Sequence, residues 1–408
     1  METTDAFAGL ECVACGAVAD VEAATHRCPE CGGHLDPRYD YDAVSLDRDE
    51  LASRPFDSLW RYEEVLPFPR EAAVTTNEGA TPLIDCPTLA DELGVERVLL
   101  KDDGRNPTGA TADRGQTVAV TAANLHGASD VALPSTGNGG QSAAAYAGRA
   151  GLESHVFLPA RSGFTNKAMV NVHGGDMNVV GGRYADAVRA FEEAMAEYDG
   201  DGGGENDDGE EWYSLAPFET PFRREGQKTL GYELVEQLEW TVPDAVVVPT
   251  GSGVELAGLY KAATELLELG LVDETPALYA AQAAGCAPIT EAFEAGRDAH
   301  EPVEYPDTIC GDIEVPDPAA STHVLEAIRE TDGGAISTDD HEILESAVTV
   351  AQHEGLEVAP SPAAAVSGAW ELAERGAFDG DETVVLLNTA TGNKEADVLR
   401  SHLMGQGV

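Results

Sequence analysis

Positive charge is what this sequence most lacks. Its 408 residues hold 24 Lys and Arg against 74 Asp and Glu, a formal net charge of −50. Only five lysines occur: Lys101, Lys167, Lys228, Lys261 and Lys394. A field of that sign repels nucleic acid and anionic membranes, so neither is expected as a partner. Long apolar runs are missing too, and none approaches the roughly 20 residues needed to span a bilayer. The opening METTDAFAGLECVACG has no basic stretch followed by an apolar core, so no secretory signal is read and the cytoplasm is the expected location. Acidic disordered chains share the charge but lack the periodic apolar segments present here. A carboxylate-rich surface over a folded core, with so few lysines, fits a halophilic cytosol. At molar salt the Debye length falls to about 3 Å and self-repulsion is screened.

Four of the seven cysteines form one group: Cys12 and Cys15, twelve residues, then Cys28 and Cys31. Paired C-x2-C knuckles suit tetrahedral zinc, because each tight turn places two thiolates on one side of the ion. A reducing cytosol disfavours the alternative of disulfides. Gly16 and Gly32 follow the knuckles and ease the turns, while His26 and His34 flank them and are unnecessary as ligands. A structural Zn²⁺ in a zinc ribbon over residues 1–36 is therefore expected. Cys86, Cys286 and Cys310 are isolated and read as packing residues.

Residues 36–75 are polar, with prolines and aromatics, and read as an extension wrapping a larger body. From Val98 onward short β-rich runs (98–101, 130–133, 155–158, 178–180, 245–248, 278–281 and 384–387) alternate with helical patterns (113–125, 141–149, 186–197, 225–238, 255–269, 339–353 and 362–374). Such alternation predicts an α/β chain with parallel sheets and right-handed crossovers. The acidic, glycine-rich stretch 199–211 reads as a solvated insertion.

Three glycine-rich turns adjoin predicted strands: Ser135-Thr136-Gly137-Asn138-Gly139-Gly140-Gln141, Pro249-Thr250-Gly251-Ser252-Gly253-Val254-Glu255, and Asn388-Thr389-Ala390-Thr391-Gly392-Asn393. Successive N–H groups at a helix N-terminus make an anion site. Together the turns imply a ligand crevice at the carboxyl ends of parallel strands.

Glu78-Gly79-Ala80-Thr81-Pro82-Leu83, the segment from Leu100 to Gly109, the Asn138 turn, Glu225-Gly226-Gln227-Lys228-Thr229 and Glu354-Gly355 resemble threonine synthase, a fold-type II pyridoxal-phosphate family. The resemblance spans most of residues 10–400. It implies two-lobed, doubly wound parallel sheets like those of the tryptophan synthase β chain. The large domain would take 37–130 and 216–408, and a small mobile domain 131–215. Pyridoxal 5'-phosphate is implied as cofactor, an amino acid as ligand, and a homodimer as the candidate assembly. By the same resemblance Asn138 would meet the cofactor's phenolic oxygen, and Gly251, Ser252, Gly253, Val254 and Glu255 its phosphate. Thr389 would face the pyridine nitrogen, and Thr136, Gly137, Gly139 and Gly140 the ligand carboxylate.

One segment departs from the family pattern. Where the family reads approximately NPTGSFKDRG, this chain reads Asn106-Pro107-Thr108-Gly109-Ala110-Thr111-Ala112-Asp113-Arg114-Gly115, so Ala112 stands at the Schiff-base lysine. Loss of an acid–base group typically costs about 10²–10⁴-fold, with covalent activation lost besides. The expectation is a threonine-synthase-like protein of amino-acid metabolism, of the class that converts O-phosphohomoserine to threonine and phosphate, impaired in catalysis and binding its cofactor non-covalently. Its alternatives are a non-catalytic paralogue with a regulatory or partner role, and a dehydratase-like lyase using Lys101, Lys228 or Lys394 instead. A bare zinc-ribbon interaction protein is disfavoured by the retained turns.

Overall fold

The computed structural model describes residues 1–22, 26–198 and 212–405. The chain folds as two compact units, Met1–Ala80 with Ala112–Thr229, and Thr81–Thr111 with Leu230–Val408. Among the described residues no helix is long and apolar enough to cross a membrane. The acidic stretch 199–211 lies outside the described residues.

The first unit contains a four-stranded parallel sheet in the order Asp176–Val180, Glu153–Pro159, Asp130–Pro134, Tyr213–Ser214. A small antiparallel sheet of Phe7–Cys12, Val18–Ala19 and Leu35–Tyr39 carries the cysteine knuckles. Its core joins Leu10, Trp60, Phe68, Val120, Leu133, Tyr146 and Phe222, so the 36–75 extension supplies core aromatics.

The second unit is built on six strands in the order Gly334–Thr338, Ala277–Ala283, Ala245–Pro249, Thr383–Asn388, Arg97–Asp102, Leu83–Asp85. All neighbours run parallel except the last pair. Ala245–Pro249 is buried along its whole length, which is why it reads as an unbroken apolar run instead of an alternating one. Strand Gly334–Thr338 goes beyond the sequence expectation. Its glycine, serine and threonine carry little apolar signal, and register against Tyr279–Ala283 makes it a strand.

Both parallel sheets wind alike. Three successive strands run outward from a central strand, and the fourth returns to that strand's other side. The central strands are Asp130–Pro134 and Ala245–Pro249, so each unit has its switch of strand order at the carboxyl end of the strand that leads into a glycine turn.

Candidate functional site

In the first unit, the Ser135 turn leads into helix Asn138–Ala150, which begins three residues earlier than the sequence pattern suggests. Its extra residues are glycines and an asparagine, which carry no apolar periodicity. Ser135 Oγ accepts from the N–H of Gly137 at 3.0 Å and of Gly140 at 2.8 Å, closing the turn on itself. Gly137 has φ of +157°, and a Cβ there would come within 2.5 Å of Asn166 Nδ2. A Cβ at Gly140 would meet Val156 Cγ1 at 2.4 Å, so both positions require glycine. Ser162 Oγ donates to Thr136 O at 2.7 Å and fastens the neighbouring loop to the turn. Thr136, Asn138 and Gly139 stay half-buried.

In the second unit, the Thr250 turn leads into helix Val254–Glu268. Thr250 Oγ1 turns back to donate to Val248 O at 2.8 Å and leaves the turn alone. Among the described residues the N–H groups of Gly251, Ser252 and Gly253 form no backbone hydrogen bond, and the helix has no side-chain cap. Gly253 has φ of +83°, and a Cβ on it would stand 2.3 Å from Val324 Cγ2. N–H groups without a backbone partner at the positive end of a 15-residue helix suit an anion.

The third turn is tied to the segment that departs from the family pattern. Thr111 N donates to Thr389 O at 2.8 Å, and Thr391 N donates to Gly109 O at 3.1 Å. Ala110 bridges Ala390, and these two pack with Ala359 as a small apolar cluster. Ala112 follows directly as the first residue of helix Ala112–Leu125, with 6% of its surface exposed. Position 112 is thus a buried methyl with no amine.

Two of the alternative lysines are committed elsewhere. Lys101 is fully buried, and its Nζ donates to Thr81 O at 2.8 Å, Glu233 Oε2 at 2.8 Å and Gln237 Oε1 at 2.7 Å. Lys228, also fully buried, pairs with Glu225 Oε2 at 2.6 Å and sits 4.1 Å above the Tyr39 ring. An ammonium held by three acceptors, or by a carboxylate and a ring face, has its contacts committed to those partners. Lys394 is the lysine brought to the departing segment: a Cβ on Gly109 would lie 3.2 Å from its Cε.

The four cysteines converge. Their sulfurs lie within 4.8 Å of one another, with Cys12–Cys31 and Cys15–Cys31 at 3.4 Å and Cys15–Cys28 at 3.8 Å. Tetrahedral thiolates at about 2.3 Å from zinc would be about 3.8 Å apart, so the cluster fits such an ion. Each knuckle closes the same way, with Gly16 N donating to Cys12 O and Gly32 N to Cys28 O. His26 and His34 stay outside the cluster and dock the ribbon instead. His26 Nε2 accepts from Ser214 N at 3.0 Å, and burial pushes its pKa down to about 4, so the ring is a neutral acceptor at pH 7. His34 Nδ1 pairs with Phe218 O at 2.7 Å, at a residue with φ of +60°.

Sequence reasoning missed three things here. Glu78, quoted only as part of a motif, is fully buried and accepts from Trp60 Nε1 and Thr75 Oγ1 at 2.9 Å, Thr76 N at 2.9 Å and Tyr146 OH at 2.8 Å. That cage fixes the start of a loop in which Asn77, Gly79 and Ala80 all have positive φ. Ser135 as the internal acceptor was foreseeable, because a serine opening a glycine turn commonly folds onto it. Asn166 had no local signal at all.

Residues 74–390 match the family model described as pyridoxal-phosphate dependent enzyme. The chain belongs to that family. Within it the chain is threonine-synthase-like. It is 37% identical to the threonine synthase of Methanosarcina acetivorans over 93% of this chain and 90% of that one. It is 35% identical to the threonine synthase of Methanocaldococcus jannaschii, over 95% and 93%. Among solved structures the fold matches diaminopropionate ammonia lyase of Escherichia coli with a TM-score of 0.68, at 18% identity over 86% of this chain and 94% of that one. Threonine deaminase isoform 2 of Solanum lycopersicum matches at 0.66 and 20% identity, over 89% and 90%. The unspent N–H groups of the Thr250 turn fit the phosphate end of the family's cofactor, whereas position 112 offers nothing to bind it covalently.

Proposed function

We propose that this member of the family binds pyridoxal 5'-phosphate without a covalent bond, and turns over O-phosphohomoserine to threonine and phosphate slowly or not at all. What supports the reading is Ala112, a buried methyl at the helix start, together with the commitment of Lys101 and Lys228 to buried partners. In this reading Gly251, Ser252, Gly253, Val254 and Glu255 hold the cofactor phosphate, Asn138 its phenolic oxygen and Thr389 its pyridine nitrogen. Thr136, Gly137, Gly139 and Gly140 receive the carboxylate of an amino acid, with 131–215 as the mobile part. The cofactor when bound supplies an electron sink. The chain supplies orientation and charge complementarity, but no amine to carry a proton at the ligand's α and β carbons. A cofactor already joined to an amino acid is the ligand such a pocket takes best, which makes sensing or carrying the working role. Cys12, Cys15, Cys28 and Cys31 hold one structural zinc, and the carboxylate surface serves a salt-rich cytoplasm.

A second reading rests on Lys394, which lies beside Gly109 and would supply the amine. One experiment separates the two. The purified protein is loaded with cofactor, reduced with borohydride and digested for peptide mapping. No fixed cofactor, with no phosphate released from O-phosphohomoserine, is the expected result. Cofactor fixed to Lys394, with steady phosphate release, would overturn the first reading in favour of the second.

A further inference from the structure

Asn166 lies in the first turn of helix Phe164–Val172 and is 3% exposed. Its amide points at the Ser135 turn: from the Cβ position of Gly137, Nδ2 is 2.5 Å away and Cγ 3.3 Å. Buried polar atoms are nearly always hydrogen-bonded, yet Asn166 Oδ1 has no partner. Nδ2, the end beside the turn, forms no hydrogen bond among the described residues either, so it is the end available to donate. A buried amide left this way carries a desolvation cost that a purely structural residue would not retain.

The turn has room for a further donor in its ligand role. Ser135 Oγ already takes the N–H groups of Gly137 and Gly140. A carboxylate has two oxygens and about four acceptor sites, so a side-chain donor beside the turn can add to the N–H groups left in it. Asn166 stands where such a donor would sit, and it is held there because Ser162 Oγ donates to Thr136 O at 2.7 Å.

We propose that Asn166 is a ligand-recognising residue whose side-chain amide donates to the carboxylate of an amino acid bound at the Ser135 turn. The inference rests on the reading above, in which the cofactor joined to an amino acid is the ligand. The probes are pyridoxal phosphate reductively joined to L-threonine, and the same adduct of L-threoninol, which carries hydroxymethyl in place of the carboxylate. Affinities are read by fluorescence titration in molar KCl on the full chain, with circular dichroism as the folding control. In the native protein the acid adduct should bind more tightly than the alcohol adduct. Asn166→Ala should weaken the acid adduct by about ten-fold and Asn166→Asp by about a hundred-fold, with the alcohol adduct moving less than about two-fold. The aspartate variant is isosteric and carries the test alone if the alanine variant unfolds. Equal weakening of both adducts, or unchanged preference for the acid, overturns the role of Asn166 while leaving the cofactor reading in place. No binding of either adduct or of free cofactor to the native protein overturns both together.

Discussion

The two parallel sheets have the same winding, and each sends its central strand into a glycine turn that opens a helix, yet the two turns spend their hydrogen bonds in opposite ways. At Ser135 the hydroxyl folds forward and accepts two N–H groups of its own turn. At Thr250 the hydroxyl points back to Val248 O, and the N–H groups of Gly251, Ser252 and Gly253 remain unspent. The first turn is a closed loop with its neighbours packed onto it, with Asn166 over Gly137 and Val156 against Gly140. The second also has neighbours packed onto it, with Ile313 and Asp312 O against Gly251 and Val324 against Gly253, but its N–H groups form no backbone hydrogen bond among the described residues. Equivalent topology therefore fixes where a ligand can bind, while the direction of one hydroxyl decides how many donors the turn can offer. The contrast suits different anions: a phosphate wants many N–H groups at once, and a carboxylate wants fewer with a side chain to select it.

Several substitutions break this contrast. Gly253→Ala should have the largest effect, because it forces a side chain into φ of +83° with its Cβ 2.3 Å from Val324 Cγ2. A loss of about 2–3 kcal/mol in unfolding free energy is expected, with phosphate-end binding abolished, read by denaturant titration and cofactor fluorescence. Ser135→Ala removes the acceptor for two buried N–H groups and should cost about 1–3 kcal/mol. Because Asn138 belongs to the same turn, free cofactor affinity should fall too, though by less than in Gly253→Ala, and a fall as large would show that the two turns are not separable. Thr250→Val deletes only the bond to Val248 O, at a cost of about 1 kcal/mol. Cofactor binding should survive, since that hydroxyl is committed to Val248 O.

Metal removal sharpens the comparison in a different way. The ribbon docks through His26 and His34 onto Ser214 and Phe218, in the same unit as the Ser135 turn. A strong chelator should release about one zinc per chain. Amide exchange should then rise across 213–219 and remain unchanged across 245–255. Uniform change in both segments would mean that the ribbon stabilises more than its own unit.

Salt should produce the smallest effect on binding. Raising KCl from dilute to molar shortens the Debye length from about 30 Å to about 3 Å. Thermal stability should rise as repulsion among the excess carboxylates is screened, while cofactor affinity at the Thr250 turn should fall by less than about ten-fold. Stability that does not change with salt would remove the halophilic reading of the surface.

The α/β class, the central strands and the three turns were legible because burial on both faces writes unbroken apolar runs, and turns demand glycine wherever φ is positive or backbones approach closely. The cysteine cluster was legible for a similar reason, since knuckle spacing is a local property. Ala112 was legible against a family pattern, through flanks that align without a gap. The sequence by itself thus determined which residue types stand at each turn, and that no lysine stands at 112. Only the tertiary structure decided which way Ser135 and Thr250 point, that Lys101 and Lys228 are locked by Glu233 and Glu225, and that Asn166 comes to rest over Gly137. A hydroxyl has donors and acceptors within reach on both sides, and a buried amine's partner comes from wherever the chain folds back. Neither choice leaves a period or a spacing in the sequence, because both are settled by contacts between segments far apart along the chain.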